Sequence, residues 1–421
     1  MKVLVVGGGG REHALAIKAA QSPRVKALIC APGNAGTEAL GENVPVSAND
    51  LDGLCALAHE RRVDLTLVGP EAPLCAGIVD RFIAAGHRVF GPTALAARIE
   101  GDKAYAKELM RAALIPTAEA RIFHRFADAR QYALTRDCPL VVKASGLAAG
   151  KGVILCDKPA DAVLALERVM VEKVFGEAGN AVLVEEMLEG PELSVLALVD
   201  GETIYVLESS QDHKRVGEGD TGPNTGGMGA YSPAPIATDA VLAQVERQIL
   251  VPIIDVLLRD GNPYSGVLYA GLMLTPGGPK VLEFNCRFGD PEIQAVLPRL
   301  QTDLIDVIEA VLDRRLSEVD LRWDPRPAVC VVMASAGYPG SYKKGHVIEG
   351  LSDAEALPDV TVFHAGTKRV GDKVVTDGGR VLGVTALGDD VASARARALE
   401  AVDTIHFDGA FCRRDIAHRA L

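Results

Sequence analysis

The first twenty residues constrain the fold more than any other stretch of the chain. KVLVV at 2–6 is apolar enough for a buried strand, four glycines follow at 7–10, and REHALAIKAA at 11–20 is a good helix-forming segment. A strand that runs through a glycine loop into a helix is the first unit of an α/β sheet, and its loop can bring backbone N–H groups to a phosphate. We therefore expect an α/β fold that begins with a Rossmann-like domain.

The same alternation continues to about residue 100. The pattern predicts helices at 51–62 and 74–86 and strands at 27–31, 63–68 and 88–90. Ligands on such sheets bind outside the carboxyl ends of the strands, where this chain carries PGNAGT (32–37) and GPEAPL (69–74). These loops are candidate ligand contacts, with the ordinary turn chemistry of Gly and Pro as the alternative.

A dinucleotide fingerprint is incomplete at the glycine loop. Gly7 and Gly9 match its first two glycines, but Glu12 stands at the third position. The second strand ends in Ala31-Pro32-Gly33 and offers no acid for a ribose. This argues against a NAD-dependent oxidoreductase, which remains the rival from another functional class.

Length and charge limit the remaining possibilities. A chain of 421 residues should form about three domains. A net charge of -12 argues against an extended nucleic-acid surface, and no apolar run is long enough to span a membrane. The eight cysteines contain no CxxC pair, which is typical of reduced thiols in the cytoplasm.

A glycine-rich hairpin is predicted between strands at 138–144 and 153–156. It carries Lys143 and Lys151, and Lys103 lies in the first turn of an earlier helix that Asp102 can cap. The hairpin is not a P-loop, because its spacing differs and a strand follows it instead of a helix. A flexible loop with lysines at both ends suits closure over a triphosphate, with a plain hairpin as the alternative.

The run EEMLEGPE at 185–192 follows another apolar strand. A connector of this kind can hydrogen-bond an adenine edge through its backbone, while a carboxylate such as Glu192 takes ribose hydroxyls. A solvated acidic loop is the commoner meaning of such a run.

The segment 209–233 is rich in glycine and surrounds the sequence Asp212-His213-Lys214-Arg215. We expect no regular element in it. Long irregular loops inside compact domains are usually functional, so we interpret it as a substrate-contacting loop.

The stretch VLEFNCRFGDPE at 281–292 predicts a metal and phosphate site at a strand end. Glu283 and Asn285 are two apart and project from the same face of the strand. Oxygen ligands on one face suit Mg²⁺. The alternative is a solvated strand end, and partner residues elsewhere in the chain must decide between the two interpretations. The strand-rich segment after about 323 shows no catalytic constellation and is expected to cover the site from another side.

These motifs together resemble the ATP-grasp superfamily, and within it the glycinamide ribonucleotide synthetase family of phosphoribosylamine-glycine ligases. The likeness covers essentially all 421 residues. It rests on the order and spacing of GGGGREHAL (7–15), PGNAGT (32–37), GPEAPL (69–74), KASGLAAGKGV (143–153), EEMLEGPELS (185–194), QDHKR (211–215), GPNTGGMGAYSP (222–233) and EFNCRFGDPE (283–292).

The resemblance implies three domains: a Rossmann-like domain at 1–101, an ATP-grasp core at 102–321 with a mobile lid at about 118–189, and a mixed, β-rich domain at 322–421. It implies a cytoplasmic enzyme of purine biosynthesis that uses ATP with Mg²⁺, or with Mn²⁺, to phosphorylate glycine. The amine of 5-phosphoribosylamine then attacks the glycyl phosphate, giving glycinamide ribonucleotide, ADP and phosphate. We expect a monomer, or at most a weak dimer, with no nucleic-acid or membrane partner.

Carried over by position, the resemblance also assigns residue roles. It assigns the phosphates of ATP to Lys103, Lys143 and the loop 145–152, within which Ser145, Gly146 and Lys151 are the named contacts. It assigns the adenine to 185–188, with Glu185, Glu186 and Leu188 as the named contacts, and the ribose to Glu192. The metal falls to Glu283 and Asn285. Asp212 takes the substrate amine and Arg287 the glycine carboxylate, with Lys143 as the third catalytic residue. The phosphorylated sugar falls to Gly9, Arg11, Asn34, Glu71 and Lys214.

One departure concerns the metal. Carboxylase-like ATP-grasp enzymes carry a further metal-binding Glu one strand earlier, whereas 269–273 here reads YAGLM. A second ion would therefore depend on phosphate and water. The rivals within enzymes are ligases that use formate or carbonate, and a third alternative is a catalytically silent ATP-binding regulator.

Overall fold

The computed structural model describes residues 1–148 and 150–421 and has the expected mixed α/β architecture. The N-terminal part is a five-stranded parallel sheet in the order β3-β2-β1-β4-β5. Residues 3–6 of its central strand are fully buried, as expected for a strand covered on both faces. Its elements are β1 (Lys2–Gly7), α1 (Gly10–Gln21), β2 (Ala27–Pro32), α2 (Ala35–Glu38), β3 (Glu42–Asn43), α3 (Leu51–Arg61), β4 (Leu65–Val68), α4 (Glu71–Cys75), α5 (Ile78–Ala84), β5 (Val89–Phe90) and α6 (Ala94–Gly101).

A four-stranded antiparallel sheet, in the order β6-β9-β7-β8, follows the next helix. It packs against two helices through its own small apolar core. The hairpin between its last two strands includes Ala149, which lies outside the described residues. Its elements are α7 (Lys103–Ala112), β6 (Ala120–Phe123), α8 (Phe126–Leu134), β7 (Leu140–Ala144), β8 (Val153–Cys156), α9 (Pro159–Leu166) and β9 (Val182–Glu186).

A second antiparallel sheet, in the order β11-β10-β16-β17, faces the first and carries the stretch EFNCR at the end of its last strand. The helical segment that precedes β16 is interrupted by a π-helical turn at Glu246–Leu250. The elements of this part are β10 (Glu192–Asp200), β11 (Ile204–Val206), α10 (Asp239–Val245), α11 (Val251–Arg259), β16 (Ser265–Thr275), β17 (Gly278–Asn285), α12 (Glu292–Val296) and α13 (Leu304–Leu312).

The segment 209–233 forms short strands, so the expectation of no regular element is wrong. The strands are β12 (Gln211–Asp212), β13 (Arg215–Gly217), β14 (Thr221–Asn224) and β15 (Gly229–Ser232). The middle two pair with each other, while the outer two join the C-terminal sheet, where Tyr231 lies opposite Val329. The backbone groups of this glycine-rich segment thus find partners about 100 residues away in sequence.

The C-terminal part is β-rich, as expected, and completes a sheet in the order β12-β15-β18-β22-β19. Its elements are β18 (Ala328–Ser335), α14 (Leu351–Glu355), β19 (Val360–His364), β20 (Thr367–Val370), β21 (Lys373–Thr376), β22 (Arg380–Leu387), α15 (Val391–Thr404) and β23 (Ala410–Phe411). Within the described ranges, none of the helices has the length and apolar character needed to cross a membrane.

Candidate active site

A cavity of about 520 Å³ lies between the two antiparallel sheets and the segment that follows β12. It brings together most of the residues that the sequence assigns to ligands, from elements far apart in the chain. Twelve of those residues line it: Glu71, Lys103, Lys143, Glu185, Glu186, Leu188, Glu192, Asp212, Lys214, Glu283, Asn285 and Arg287.

Two lysines form one wall of this cavity. Lys103 begins α7, which Asp102 caps as predicted by accepting a hydrogen bond from the Tyr105 N–H at 3.1 Å. Lys143, near the end of β7, donates to the Leu282 carbonyl at 3.0 Å and pairs with Glu185 at 2.9 Å. Burial lowers the pKa of Lys103, an effect that the Glu283 carboxylate opposes. Both ammonium groups border the cavity, where an anion could meet them.

Glu185 is oriented differently from the adenine-contacting role expected of it. Its carboxylate is buried between Lys143 and Lys107, whose ammonium lies 3.1 Å from Glu185 Oε1. Only the backbone of Glu185 would therefore be available to contact the adenine base. Sequence reasoning missed Lys107. The available signal was its place among Ala106, Leu109 and Met110 on the buried stripe of α7, where a lysine is rarely found without a partner.

The predicted metal ligands lie side by side at the end of β17. Glu283 is half-buried and Asn285 is buried, and neither side chain has a hydrogen-bond partner among the described residues, so their oxygens remain available to a ligand. Burial raises the pKa of Glu283, but Lys214, Lys103, Lys143 and Arg287 outweigh it and leave the pKa below its ordinary value. An ionised carboxylate beside an amide oxygen is a donor set that suits Mg²⁺.

Asp212 and Lys214 enter the cavity from the strand and turn that follow Ser210. Asp212 is 7% exposed, and its Oδ1 is buried without a hydrogen-bond partner. Burial, and next the neighbouring Glu292 carboxylate, raise its pKa well above the ordinary value. Lys214 pairs with Glu192 at 3.3 Å. A buried acceptor without a partner is costly, so Asp212 is a strong candidate for a ligand contact.

Arg287 is held between two carboxylates. Its guanidinium lies 3.3 Å from Glu71 and 2.9 Å from Glu100, and it also donates to the Phe288 carbonyl at 3.2 Å. Burial lowers its pKa, but Glu100 and Glu71 raise it more, so the group stays charged. Two of the five guanidinium N–H groups donate hydrogen bonds, to Glu71 and to the Phe288 carbonyl, so others can still donate to a ligand.

Several predicted ligand contacts do not line the cavity. Arg11 donates to Glu12 at 2.6 Å and to the Phe288 carbonyl at 3.1 Å, and lies 3.9 Å from Glu71. Asn34 caps α2 and donates to the His364 carbonyl at 2.8 Å. These two residues, with Gly9, lie behind the Glu71 wall, where the N-terminal and C-terminal parts meet.

The glycine hairpin contributes its middle residues rather than its ends. Leu147, Ala148, Gly150 and Gly152 line the cavity, while Gly146 lies outside it. The Ser145 hydroxyl donates to Asp102 at 2.8 Å and accepts from the Ala104 N–H at 3.0 Å. Lys151 is exposed and also lies outside the cavity.

The C-terminal part reaches the site through two arginines that sequence reasoning missed. Arg380 on β22 donates to the Asp290 carbonyl at 2.8 Å and pairs with its carboxylate at 3.2 Å. Arg419 lines the cavity and donates to the Asp212 carbonyl at 3.3 Å. Both contacts are distant in sequence, and no local pattern marks these arginines.

Three family descriptions match successive parts of the chain. The N domain of phosphoribosylglycinamide synthetase matches residues 1–100, its ATP-grasp (A) domain residues 101–293, and its C domain residues 328–419. Together they span most of the chain, including all the residues named above on β7, β9 and β17.

Relatives match over the full length. The chain is 54% identical to the phosphoribosylamine–glycine ligase of Rhodopirellula baltica, covering 100% of this chain and 98% of the relative. It is 50% identical to that of Escherichia coli, covering 100% and 99%. The crystal structure of the Thermotoga maritima enzyme of the same name superposes with a TM-score of 0.85 at 32% identity, covering 99% of this chain and 100% of that one.

Proposed function

The chain belongs to the phosphoribosylglycinamide synthetase family, and we propose that its cavity joins glycine to 5-phosphoribosylamine through a glycyl phosphate. The overall reaction, ATP-dependent formation of glycinamide ribonucleotide in purine biosynthesis, is that of the family and confirms the expectation from the sequence. One observation carries the finer proposal: lysines, a pair of oxygen ligands and a carboxylate with an unpartnered oxygen converge on one cavity.

ATP occupies the side of the cavity between the two antiparallel sheets. Lys103 and Lys143 take its phosphates, and the hairpin 145–152 closes over them with backbone N–H groups. The backbone of 185–188 takes the adenine, and Glu192 the ribose. The lining of this side supports the assignment, because it combines cations with apolar residues such as Leu147, Val153 and Leu183.

Mg²⁺, or Mn²⁺ in its place, is held by Glu283 and Asn285. The lowered pKa of Glu283 and the absence of competing partners for either side chain in the described structure favour this role. No group of three or more His, Cys, Asp or Glu side chains suited to a metal occurs in the described residues, so Glu283 and Asn285 would hold the ion with the help of phosphate and water. When bound, the ion offsets the negative charge of the triphosphate and of the glycine carboxylate.

Glycine lies between Arg287 and Asp212. Its carboxylate accepts hydrogen bonds from guanidinium N–H groups that Glu71 and the Phe288 carbonyl leave available. Its ammonium donates to the unpartnered oxygen of Asp212. An arginine fork and a buried acceptor at two ends of a small amino acid fix its orientation.

The reaction then proceeds in two displacements. A glycine carboxylate oxygen attacks the γ-phosphorus of ATP, forming one P–O bond as the bond to ADP breaks. The amine of phosphoribosylamine next attacks the carbonyl carbon of glycyl phosphate, and phosphate leaves as the new nitrogen loses a proton. Lys103 and Lys143 stabilise the charge on the moving phosphoryl group, so the protein contributes mainly positioning and electrostatics.

The phosphorylated sugar binds beyond glycine, at Glu71 and Lys214. Arg11, Asn34 and Gly9 support this end of the site from behind Glu71, with Arg11 held 3.9 Å from that carboxylate. The proposal also includes three domains, at 1–101, 102–321 and 322–421. It includes a monomeric or weakly dimeric state and a location in the cytoplasm. The eight cysteines, all free, agree with a reducing compartment.

Release of ADP with neither substrate, with glycine alone, with phosphoribosylamine alone and with both substrates tests the proposed function. Purified protein with ATP and Mg²⁺ should release ADP at an appreciable rate only when both glycine and phosphoribosylamine are present. Release with formate or bicarbonate in place of glycine would contradict the substrate assignment. Enhanced nicotinamide fluorescence on titration would support the oxidoreductase alternative instead.

A further inference from the structure

Lys107 is the most deeply buried lysine next to the cavity, and its ammonium is held by oxygen atoms of the protein. The residue is 1% exposed. Its Nζ donates to Thr117 Oγ1 at 2.7 Å and to the Ala118 carbonyl at 3.2 Å, and it lies 3.1 Å from Glu185 Oε1. Two hydrogen bonds and one ion pair thus hold the ammonium group of Lys107 against oxygen atoms of the protein itself.

Glu185 connects this ammonium to a second one. Its Oε1 faces Lys107 and its Oε2 lies 2.9 Å from Lys143 Nζ. Lys143 donates one hydrogen bond, to the Leu282 carbonyl at 3.0 Å. This hydrogen bond and the ion pair with Glu185 together fix the position of the Lys143 ammonium group, and Lys107 in turn holds the Glu185 carboxylate.

Both ends of the network reach the strand that carries the oxygen ligands. The Thr117 hydroxyl accepts from Lys107 and donates to the Val281 carbonyl at 2.7 Å, while Lys143 donates to the next carbonyl, that of Leu282. The network thus ties α7 and the sheet of β7 and β9 to the backbone just before Glu283.

The charges explain why a second lysine is needed. Glu185 with Lys143 alone would form a neutral pair, and Lys143 would offer little net charge to a phosphate. With Lys107 the three side chains carry a net charge of +1, and Lys143 is free to share its charge with an anion. Truncating one partner of a buried pair also leaves the other poorly compensated.

We propose that Lys107 is a positioning residue for ATP, which holds Glu185 so that Lys143 can present its ammonium group, with a net positive charge, to the phosphates. This inference rests on the proposed ATP site. Lys107 does not touch the nucleotide and is not a catalytic residue.

A measurable titration accompanies this geometry. Burial lowers the pKa of Lys107 to about 8, against the opposing effect of Glu185. The other charged groups facing it are Lys143, which lowers its pKa, Arg111 on its own helix, and Glu186. Since the ammonium form supports the phosphate site, affinity for MgATP should fall as the pH rises through about 8.

Calorimetric titration with MgATP, without glycine or amine, tests the inference from about pH 6.5 to about pH 9.5. Lys107→Met keeps the length of the side chain and removes its charge. We expect its Kd for MgATP at neutral pH to rise about tenfold or more, and the fall in affinity near pH 8 to disappear. Lys18→Met is the control, because Lys18 is a half-buried lysine that also donates to a carbonyl, at 2.6 Å, but does not line the cavity.

Each outcome decides between the two claims. Wild-type protein that binds no MgATP would overturn the proposed ATP site itself. Wild-type binding with an unchanged Kd and unchanged pH profile in Lys107→Met would overturn the role of Lys107 alone. If Lys107→Met does not fold, Thr117→Val decides: loss of this acceptor should move the titration to lower pH, and an unmoved titration would overturn the inference.

Discussion

The buried Asp212 carboxylate lowers the stability of the folded protein at neutral pH and is proposed to bind the glycine ammonium. One substitution should therefore raise stability and weaken binding. The pKa of Asp212 is raised by burial and by Glu292, so the folded protein binds a proton there more tightly than the unfolded chain does. The protonated carboxyl therefore stabilises the fold at low pH, and this contribution is lost as the pH rises above 3.8, the ordinary pKa of Asp. Asp212→Asn should unfold at a higher temperature than wild type at neutral pH.

The same variant should bind glycine poorly, because an amide offers an ammonium group no charge. Thermal unfolding and equilibrium titration with glycine in the presence of MgADP measure both effects. A variant that is less stable than wild type at neutral pH, or that binds glycine equally well, would contradict the assignment of Asp212.

The pKa of Glu283 is shifted in the opposite direction, below its ordinary value. Its pKa is lowered below 4.5, although burial opposes this, by Lys214, Lys103 and Lys143. Its charge therefore stabilises the fold above that pH, and the contribution is lost as the pH falls. Glu283→Gln should be less stable than wild type at neutral pH, and the difference should vanish in acid.

Turnover by Glu283→Gln should fall by about a hundredfold or more, because a metal ligand is lost. Steady-state assay over a range of Mg²⁺ concentrations, with circular dichroism to establish folding, measures this. Unchanged turnover would remove the metal role.

The turn between β14 and β15 brings backbone against the Asp212 carboxylate. Gly227 has φ +110°, a conformation that other residues rarely adopt, and a Cβ there would meet Pro291 and lie 2.7 Å from Asp212 Oδ1. Gly227→Ala should therefore cost about 2 kcal/mol or more in the free energy of unfolding.

Binding of glycine to Gly227→Ala should weaken more than binding of MgATP. Denaturant unfolding and calorimetry measure the two effects. Gly219→Ala is a matched control, since that glycine also has a positive φ but a Cβ there meets nothing within 4 Å. Equal effects of the two substitutions on glycine binding would contradict the close approach to Asp212.

The strand β22 reaches the same turn from the C-terminal part. Arg380 donates to the carbonyls of Gly226, Gly227 and Asp290 and pairs with the Asp290 carboxylate. Arg380→Met should raise the KM for glycine about tenfold while the Kd for MgATP changes little, because the nucleotide walls come from β7, β9 and β17. An equal loss for both ligands would show that Arg380 supports the whole fold rather than this turn.

Elements with a strong local pattern could be predicted, and those defined by distant pairing could not. The strand Lys2–Gly7 is as expected because it is apolar and leads into a glycine loop, and Asp102 caps α7 because capping is local. The strands of 209–233 have two to four residues, too few for a periodic pattern, and the outer two join the C-terminal sheet because β15 pairs with β12 and with β18. Their placement depends on a sheet partner that the local sequence does not specify.

The whole molecule gathers one site from three sheets, and this determines which of its residues sequence could identify. Glu283, Asn285 and Lys143 stand at strand ends and were identified there by their position. Lys107 and Arg380 act through contacts with residues distant in the chain, so burial and geometry were needed to find them. The resemblance supplied the reaction, and the structure supplied the network of charges around it.

The fate of the glycine carboxylate oxygen tests the central claim most directly. Glycine labelled with ¹⁸O in its carboxylate is converted with ATP and phosphoribosylamine, and the released phosphate is analysed by mass spectrometry. A glycyl phosphate requires that one carboxylate oxygen leave with the phosphoryl group, so each phosphate should carry one ¹⁸O. Phosphate without ¹⁸O, formed in step with glycinamide ribonucleotide, would contradict the mechanism.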